Sequence, residues 1–196
     1  RVVGDKNAGP LISTDMTRCI HCTRCVRFGQ EVAGMMELGA TGRSEWMEIG
    51  TYVEKSITSE MSGNMIDLCP VGALTSKPFR YKARPWELKA HNAIAAHDSI
   101  GSNIIVHSKH DDVMRVVPAE NESINEVWLS DRDRFSYEAV HAEDRLLQPM
   151  VKKNGQWQVV DWEEALQFAV EGLQQMLAEN KEVGVLASAN STLEEL

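Results

Sequence analysis

Four cysteines are the residues of this chain whose type and spacing could do chemistry. Cys19-x-x-Cys22-x-x-Cys25 puts three thiols at three-residue intervals, so that they can converge on one side of a tight turn. They could then hold three corners of a cube-shaped cluster, with the fourth ligand supplied from elsewhere. Cys69, followed by Pro70, offers it, since a remote Cys-Pro is the usual completing ligand of ferredoxin-type sites. The count closes at four cysteines for four irons. A structural zinc could take the same four thiolates, although zinc sites usually use two separated Cys-x-x-Cys pairs rather than a three-plus-one grouping. Two disulfides would close strained rings between residues three apart, and nothing indicates secretion. Free buried thiols are the last alternative.

A cluster with four cysteine ligands leaves no iron open to substrate, which points to electron transfer rather than catalysis on the metal. Arg18, Arg24 and Arg27 flank the triplet. They read either as charges that favour the reduced, more anionic cluster or as a solvated basic face. His21 lies inside the triplet and reads as a neighbour of the cluster, not a ligand. The remaining histidines, His91, His97, His107, His110 and His141, show no paired metal spacing. Gly39-Ala40-Thr41-Gly42 lacks both the phosphate-loop and the full dinucleotide pattern. Ser59, Ser62 and Ser99 sit in no nucleophile elbow. Met35, Met36, Met61 and Met65 read as core filler.

The elements that must position the cysteines are short. Leu11-Ile12 reads as an extended piece, and Thr23 to Ala33 as a helix ending near Gly34. Residues 38–54 read as short strands with glycine turns. Ser62 to Leu68 reads as a helix capped by Ser62 and closed by Pro70, with Met65 and Ile66 on one side. Residues 77–86 form a basic connector punctuated by Pro78 and Pro85, where we place a domain boundary. Ser102–Ser108 and Val113–Val117 read as a hairpin, and Glu122 to Ala139 as helical in pieces. Asn154-Gly155 predicts a type I′ turn between two strands spanning 151–160. Asp161 then caps a helix, with Glu164 in capping-box position. Leu166, Ala169, Val170, Leu173 and Leu177 are its expected buried stripe, and Asn180 its stop. The run Val183–Ala187 reads as a strand handing over to a further helix.

Composition excludes several classes. The net charge of −9 argues against general nucleic-acid binding. No apolar run approaches the ~18–20 residues that a membrane span needs. Residues 1–90 carry 12 Lys and Arg against 10 Asp and Glu, whereas residues 91–196 carry 8 against 19. All four cysteines lie in the basic part, which suggests at least two units with different jobs. Arg1 is not an initiator Met and the chain stops within an apparent element, so we read it as an internal fragment.

Several long strings resemble one family. They are Asp5-Lys6-Asn7-x-Gly9-Pro10-Leu11, Met16-Thr17-Arg18-Cys19-Ile20-x-Cys22-Thr23-Arg24-Cys25, Ser59-Glu60-Met61-Ser62-Gly63-Asn64, Asp67 through Pro78, and Ala83-Arg84-Pro85-Trp86-Glu87. Together they resemble the large iron–sulfur subunits of respiratory complex I, the NADH–quinone oxidoreductase of bacteria and mitochondria (the 75-kDa subunit in the latter). The resemblance implies that Cys19, Cys22, Cys25 and Cys69 bind one [4Fe-4S] cluster. A [2Fe-2S] cluster and a further [4Fe-4S] cluster belong to a more N-terminal part of that family. Arg145 through Leu166 resembles the start of the molybdopterin oxidoreductase fold, and residues from Trp86 to about His141 resemble the iron–sulfur domain that opens such enzymes. The cysteine positions of that domain align here with Ala95, Asp98, Ser102 and Ser130, poor replacements for soft thiolates. We therefore expect no cluster there.

The expected fold class is α+β. A ferredoxin-like [4Fe-4S] domain (1–85) is followed by a small β-rich domain lacking its cysteines (86–142) and the start of a molybdopterin-oxidoreductase-like α/β domain (143–196). The expected function is electron relay within NADH:ubiquinone reductase (H+-translocating), in which NADH is oxidised and quinone reduced on other subunits. Expected partners are the flavin- and NADH-binding subunit, its small [2Fe-2S] neighbour and the quinone-side iron–sulfur subunits, with no nucleic acid and no direct membrane span. The expected location is peripheral, on the cytoplasmic face of a bacterial inner membrane or the matrix face of the mitochondrial one. The rival readings are a molybdopterin-dependent, formate-dehydrogenase-like enzyme and a zinc-stabilised interaction module.

Overall fold

The structure, a computed structural model, describes residues 2–51, 55–188 and 191. Its contacts divide the chain into two compact units, Arg1–Tyr137 and Glu138–Leu196.

The first unit is built from short elements around one apolar core. Strand β1 (Ile12–Thr14) runs antiparallel to β4 (Leu74–Ser76), pairing Ile12 with Ser76 and Thr14 with Leu74. Strands β2 (Leu38–Thr41) and β3 (Glu48–Thr51) form a second antiparallel pair. Helix α1 (Arg24–Glu31) begins within the cysteine triplet, with Cys25 in its first turn, and buries Val26 and Phe28; Gly34 lies beyond its end in the left-handed conformation. A single turn and a half, α2 (Asn64–Leu68), precedes Cys69. Ala8, Ile12, Met16, Val26, Phe28, Leu38, Ile49, Ile57, Met65 and Leu74 close the core, and Cys19, Cys25 and Cys69 pack against its edge. Met65 is 1% exposed, as its expected place on the inner side of α2 requires.

The helix cap differs from expectation. Gly63, not Ser62, is the N-cap of α2, and it makes no side-chain cap bond. Ser62 lies in the preceding turn, and its hydroxyl donates to Asp131 instead. A remote carboxylate has displaced the local cap.

Residues 88–137 add a three-stranded antiparallel sheet in the order β5 (Lys89–Ile94), β6 (Asn103–Lys109), β7 (Asp112–Pro118). The hairpin of β6 and β7 matches its sequence signal, and a bulge shifts its register at His107/Ser108. Strand β5 has no such signal, because every one of its residues is exposed and no apolar alternation marks it. Ala95, Ile104, Val116 and Leu129 form a small second core beside α3 (Asp131–Phe135). This sheet is fastened to the cysteine module at several points. The Trp128 ring lies 5.0 Å from Phe28, the Arg115 guanidinium sits 4.7 Å over Phe79, and Lys109 pairs with Glu87 at 2.9 Å. Residues 77–87 thus join two modules within one compact unit.

In the second unit, β8 (Met150–Lys153) and β9 (Gln156–Val159) form the expected hairpin. Both turn residues, Asn154 and Gly155, have the positive φ of a type I′ turn. Asp161 caps α4 (Trp162–Ala178), its Oδ1 accepting from the Glu164 N–H at 2.8 Å. The reciprocal half of a capping box is not made, because the Glu164 carboxylate pairs with Lys153 instead. Asn180, at φ 53°, sits just past the helix end, as a stop residue should. The stripe Leu166, Ala169, Val170, Leu173 and Leu177 is exposed, contrary to expectation. Among the described residues of this unit, the small β8–β9 ribbon is what stands beside the helix. Residues 183–187 adopt no strand, and the helix expected after them falls outside the described residues.

Phe28 is 3% exposed and touches both the cysteine module and Trp128. Phe28→Ala should cost about 3–5 kcal/mol in urea unfolding of the apo chain; a loss under about 1 kcal/mol would show that the ring does not tie the core together.

Candidate metal centre

The β1–β4 pair feeds the site from both sides. Beyond β1 the chain makes a 3-10 turn at Met16–Arg18 and enters Cys19. Just before β4 it runs Cys69-Pro70-Val71-Gly72-Ala73, and the Asp15 N–H donates to the Ala73 carbonyl at 2.8 Å. Two stretches about fifty residues apart in sequence are thereby laid side by side. All four cysteines line one cavity, together with Met16, Ile49, Ala73 and Leu74 on its apolar wall. Each cysteine is half-buried, and none is in a disulfide.

Local backbone geometry turns the triplet inward. His21 and Thr23 both sit in the left-handed region, at φ 56° and 60°. That conformation is unfavourable for a β-branched threonine. It alternates with the cysteines, so Cys19, Cys22 and Cys25 come round to one cavity instead of spiralling away on a continuous helix. The His21 N–H reaches the Cys19 Sγ at 3.5 Å. On the other side, Pro70 keeps Cys69 out of the helical region (φ −78°, ψ 107°), ending α2 with the thiol at the cavity. Gly72 then takes φ +65°, a turn that favours glycine.

The electrostatics are those of thiols crowded together. Burial pushes the Cys25 thiol up to about 11; its Val26 N–H opposes this, and neighbouring Cys19, Cys22 and Cys69 push it further up. The donor set suits a polynuclear soft-metal group, whose positive charge offsets that repulsion as protons leave. Among the described residues, no three His, Cys, Asp or Glu side chains close tightly enough to hold a single metal ion. Of the flanking cations, Arg18 pairs with Asp15 at 2.8 Å, and Arg24 and Arg27 are exposed. His21 is half-buried beside the triplet.

Three of the four positions expected in place of cluster-binding cysteines come together, with the fourth hydrogen-bonded to one of them. Asp98, Ser102 and Ser130 line a single cavity, and the Ala95 N–H donates to the Ser102 carbonyl. Asp98 Oδ1 accepts from the N–H groups of Ile100 and Gly101 at 3.1 and 2.8 Å. Burial opposes its charge, yet the Ser102 hydroxyl and the N–H groups of Gly101 and Ser102 outweigh it and hold the carboxyl below its usual range. Ser130 caps α3 and donates to Asp133.

Three family profiles match the chain in succession. Residues 9–75 match "NADH-quinone oxidoreductase subunit 3, ferredoxin-like domain". Residues 88–138 match "NADH-ubiquinone oxidoreductase NDSU1/NuoG-like, 4Fe-4S domain", and residues 145–196 match "Molybdopterin oxidoreductase". The NADH-ubiquinone oxidoreductase 75 kDa subunit of Reclinomonas americana is 51% identical over 96% of this chain and 27% of its own length. The mitochondrial NADH dehydrogenase [ubiquinone] iron-sulfur protein 1 of Solanum tuberosum is 56% identical over 91% of the chain and 24% of its own. A bacterial NADH-quinone oxidoreductase subunit, from Rickettsia bellii, is 50% identical over 97% and 28%. Along nearly its whole length the chain is homologous to the mitochondrial 75 kDa subunits and their bacterial counterparts. It spans about a quarter of the length of these curated relatives. The sequence strings that resembled the complex I subunits are thus matched by relatives carrying those names.

Apart from Ser130, sequence reasoning did not single out residues 128–134, of which Asp131 reaches Ser62 and Arg134 reaches Asp67, just ahead of Cys69. The alternating Asp131-Arg132-Asp133-Arg134 run was a visible signal, since charges that follow an apolar Trp128-Leu129 pair must find partners if buried.

Two measurements test this geometry. Thr23→Pro fixes φ near −65° where the loop needs +60°, so it should abolish metal uptake by the thiols, whereas Thr23→Gly should retain it; equal uptake by both would refute the loop argument. Asp98 has a depressed carboxyl, so its stabilisation is present above the unfolded value and lost as pH falls through the folded one. Asp98→Asn should therefore flatten the loss of stability as pH falls below about 4, and an unchanged acid limb would contradict it.

Proposed function

We propose that Cys19, Cys22, Cys25 and Cys69 hold one [4Fe-4S] cluster and that the protein serves as an electron-relaying subunit of an NADH:quinone oxidoreductase. The single observation that carries the reading is four thiols around one apolar cavity, arranged three plus one. When bound, such a cluster supplies one-electron transfer between neighbouring redox centres. A zinc ion would draw its four sulfurs to about 3.8 Å from one another, given Zn–S bonds of about 2.3 Å. The three-plus-one grouping of the cysteines, instead of two separated Cys-x-x-Cys pairs, favours the four-iron core.

The chain's own residues do the rest. Cys19, Cys22 and Cys25 bind three corners and Cys69 the fourth. Met16, Ile49 and Leu74, all buried, keep water from the inner side. The N–H groups of His21 and Val26 point at the sulfurs of Cys19 and Cys25, favouring the more negative state. On this reading residues 1–85 carry the redox centre. Residues 86–142 form a cysteine-free structural module, and 143–196 begin a molybdopterin-oxidoreductase-like domain.

The partners are other subunits of the same complex: the NADH- and flavin-binding subunit, its small [2Fe-2S] neighbour and the iron–sulfur subunits on the quinone side. No helix of the described residues is long and apolar enough to cross a membrane. As a subunit of that complex it would sit peripherally, on the cytoplasmic face of a bacterial inner membrane or the matrix face of the mitochondrial one. The match of residues 145–196 favours, as a second reading, a molybdopterin-dependent oxidoreductase. Against it stand the names of the relatives and the lack of any cysteine after Cys69.

Cys22→Ser in the full-length protein should remove iron and acid-labile sulfide equivalent to one cluster, together with one reduced-state EPR signal, and should block NADH:quinone turnover. Normal turnover in that variant would overturn the proposal, and molybdenum or tungsten in the purified protein would favour the second reading.

A further inference from the structure

The segment that carries Cys69 is not held by its own module alone. The carboxylate of Asp131, at the start of α3, grips the turn that leads into α2. Its Oδ1 accepts from the Gly63 N–H at 2.6 Å, and its Oδ2 from the Ser62 N–H and hydroxyl at 3.1 and 2.5 Å. The Asp131 N–H donates back to the Glu60 carbonyl at 2.7 Å. One turn on, Arg134 Nη2 donates to Asn64 Oδ1 at 3.2 Å and to Asp67 Oδ2 at 2.6 Å. Asn64 exchanges two bonds with the Leu129 backbone, at 2.9 and 3.0 Å. Asn64 is 1% and Arg134 4% exposed. All these contacts fall on residues 60–67, immediately before Cys69.

The fit is close. A Cβ on Gly63 would lie 2.6 Å from Arg134 Cδ and 2.8 Å from Asp131 Oδ1. Gly63 has φ −60°, so its backbone conformation does not call for glycine. The approach of the two charged side chains does. Helix α2 is also too short to hold its own direction in isolation. The placement of its C-terminal thiol therefore depends on what grips its first turn.

We propose that Asp131 and Arg134 are positioning residues for Cys69: the cysteine-free module from residue 88 onward serves as a clamp that sets the fourth ligand of the neighbouring cluster. This rests on the cluster reading given above. The clamp acts on one ligand of four. Loosening it should free the Cys69 corner while the triplet, held by its own loop, keeps its three. A general loss of stability would release all four together.

The test uses the full-length protein in its assembled complex, with Arg134→Ala, Gly63→Ala and the conservative Arg134→Lys compared with the unaltered chain. Ferricyanide is the oxidant. A [4Fe-4S]2+ core that loses its fourth corner releases one Fe2+ and gives one electron to ferricyanide, leaving [3Fe-4S]+ on Cys19, Cys22 and Cys25 and a protonated thiol at Cys69. EPR reads the three-iron product, and alkylation followed by mass spectrometry reads which cysteine has become free. Arg134→Ala and Gly63→Ala should each speed three-iron formation and Cys69 labelling about 10-fold or more, with Arg134→Lys restoring most of the original rate. Unchanged rates, or loss of the whole cluster with all four cysteines labelled alike, would overturn the clamp. The same alkylation on the iron-free protein separates the two readings. Selective exposure of Cys69 in Arg134→Ala supports the clamp even if no cluster is ever found, and uniform exposure counts against it even if one is.

Discussion

Three residue pairs, Ile12 with Ser76, Ser13 with Thr75 and Thr14 with Leu74, hold the site together. A ladder this short cannot be stable by itself. It stands because Ile12 and Leu74 are also core residues, packed with Met16 and Met65 beneath the cysteines. One small antiparallel contact therefore does two things. It closes the loop between the triplet and the distant thiol, and it covers the inner face of the cavity with apolar side chains. Burial and ligand geometry arise from the same residues, so neither can be changed alone.

Against that frame the backbone is set in costly conformations. His21 and Thr23 take positive φ where neither gains from it locally. Cys25 is crowded by three like groups in a buried corner. Convergence of this kind has a local cost that a group held in the cavity would offset. On the proposed reading a bound cluster would couple the local fold to occupancy.

The sequence showed the chemistry more plainly than the architecture. The cysteine triplet, the Cys69-Pro70 pair, the Asn154-Gly155 turn and the Asp161 cap are local signals, each fixed by the stereochemistry of one or two residues, and each appears in the structure. The signals that misled depend on distant partners. Ser62 carries the chemistry of a cap, but Asp131, far along the chain, takes its hydroxyl. Glu164 stands in capping-box position, but Lys153 takes its carboxylate. Strand β5 is exposed throughout, so no pattern of burial was written into it. The stripe on α4 is apolar as read, yet among the described residues of its unit nothing large enough stands opposite to cover it. Periodicity reports which face wants burial, not what will bury it.

The bare α-carbon of Gly63 carries a consequence for how such chains can diverge. It meets side chains contributed from about seventy residues further along the chain, at distances that leave no room for a methyl group. A change on either side must be matched on the other before the joint can close again. The halves that meet there are thus bound to drift in step, and a hybrid assembled from two distant cousins would inherit a lock from one lineage and a key from another.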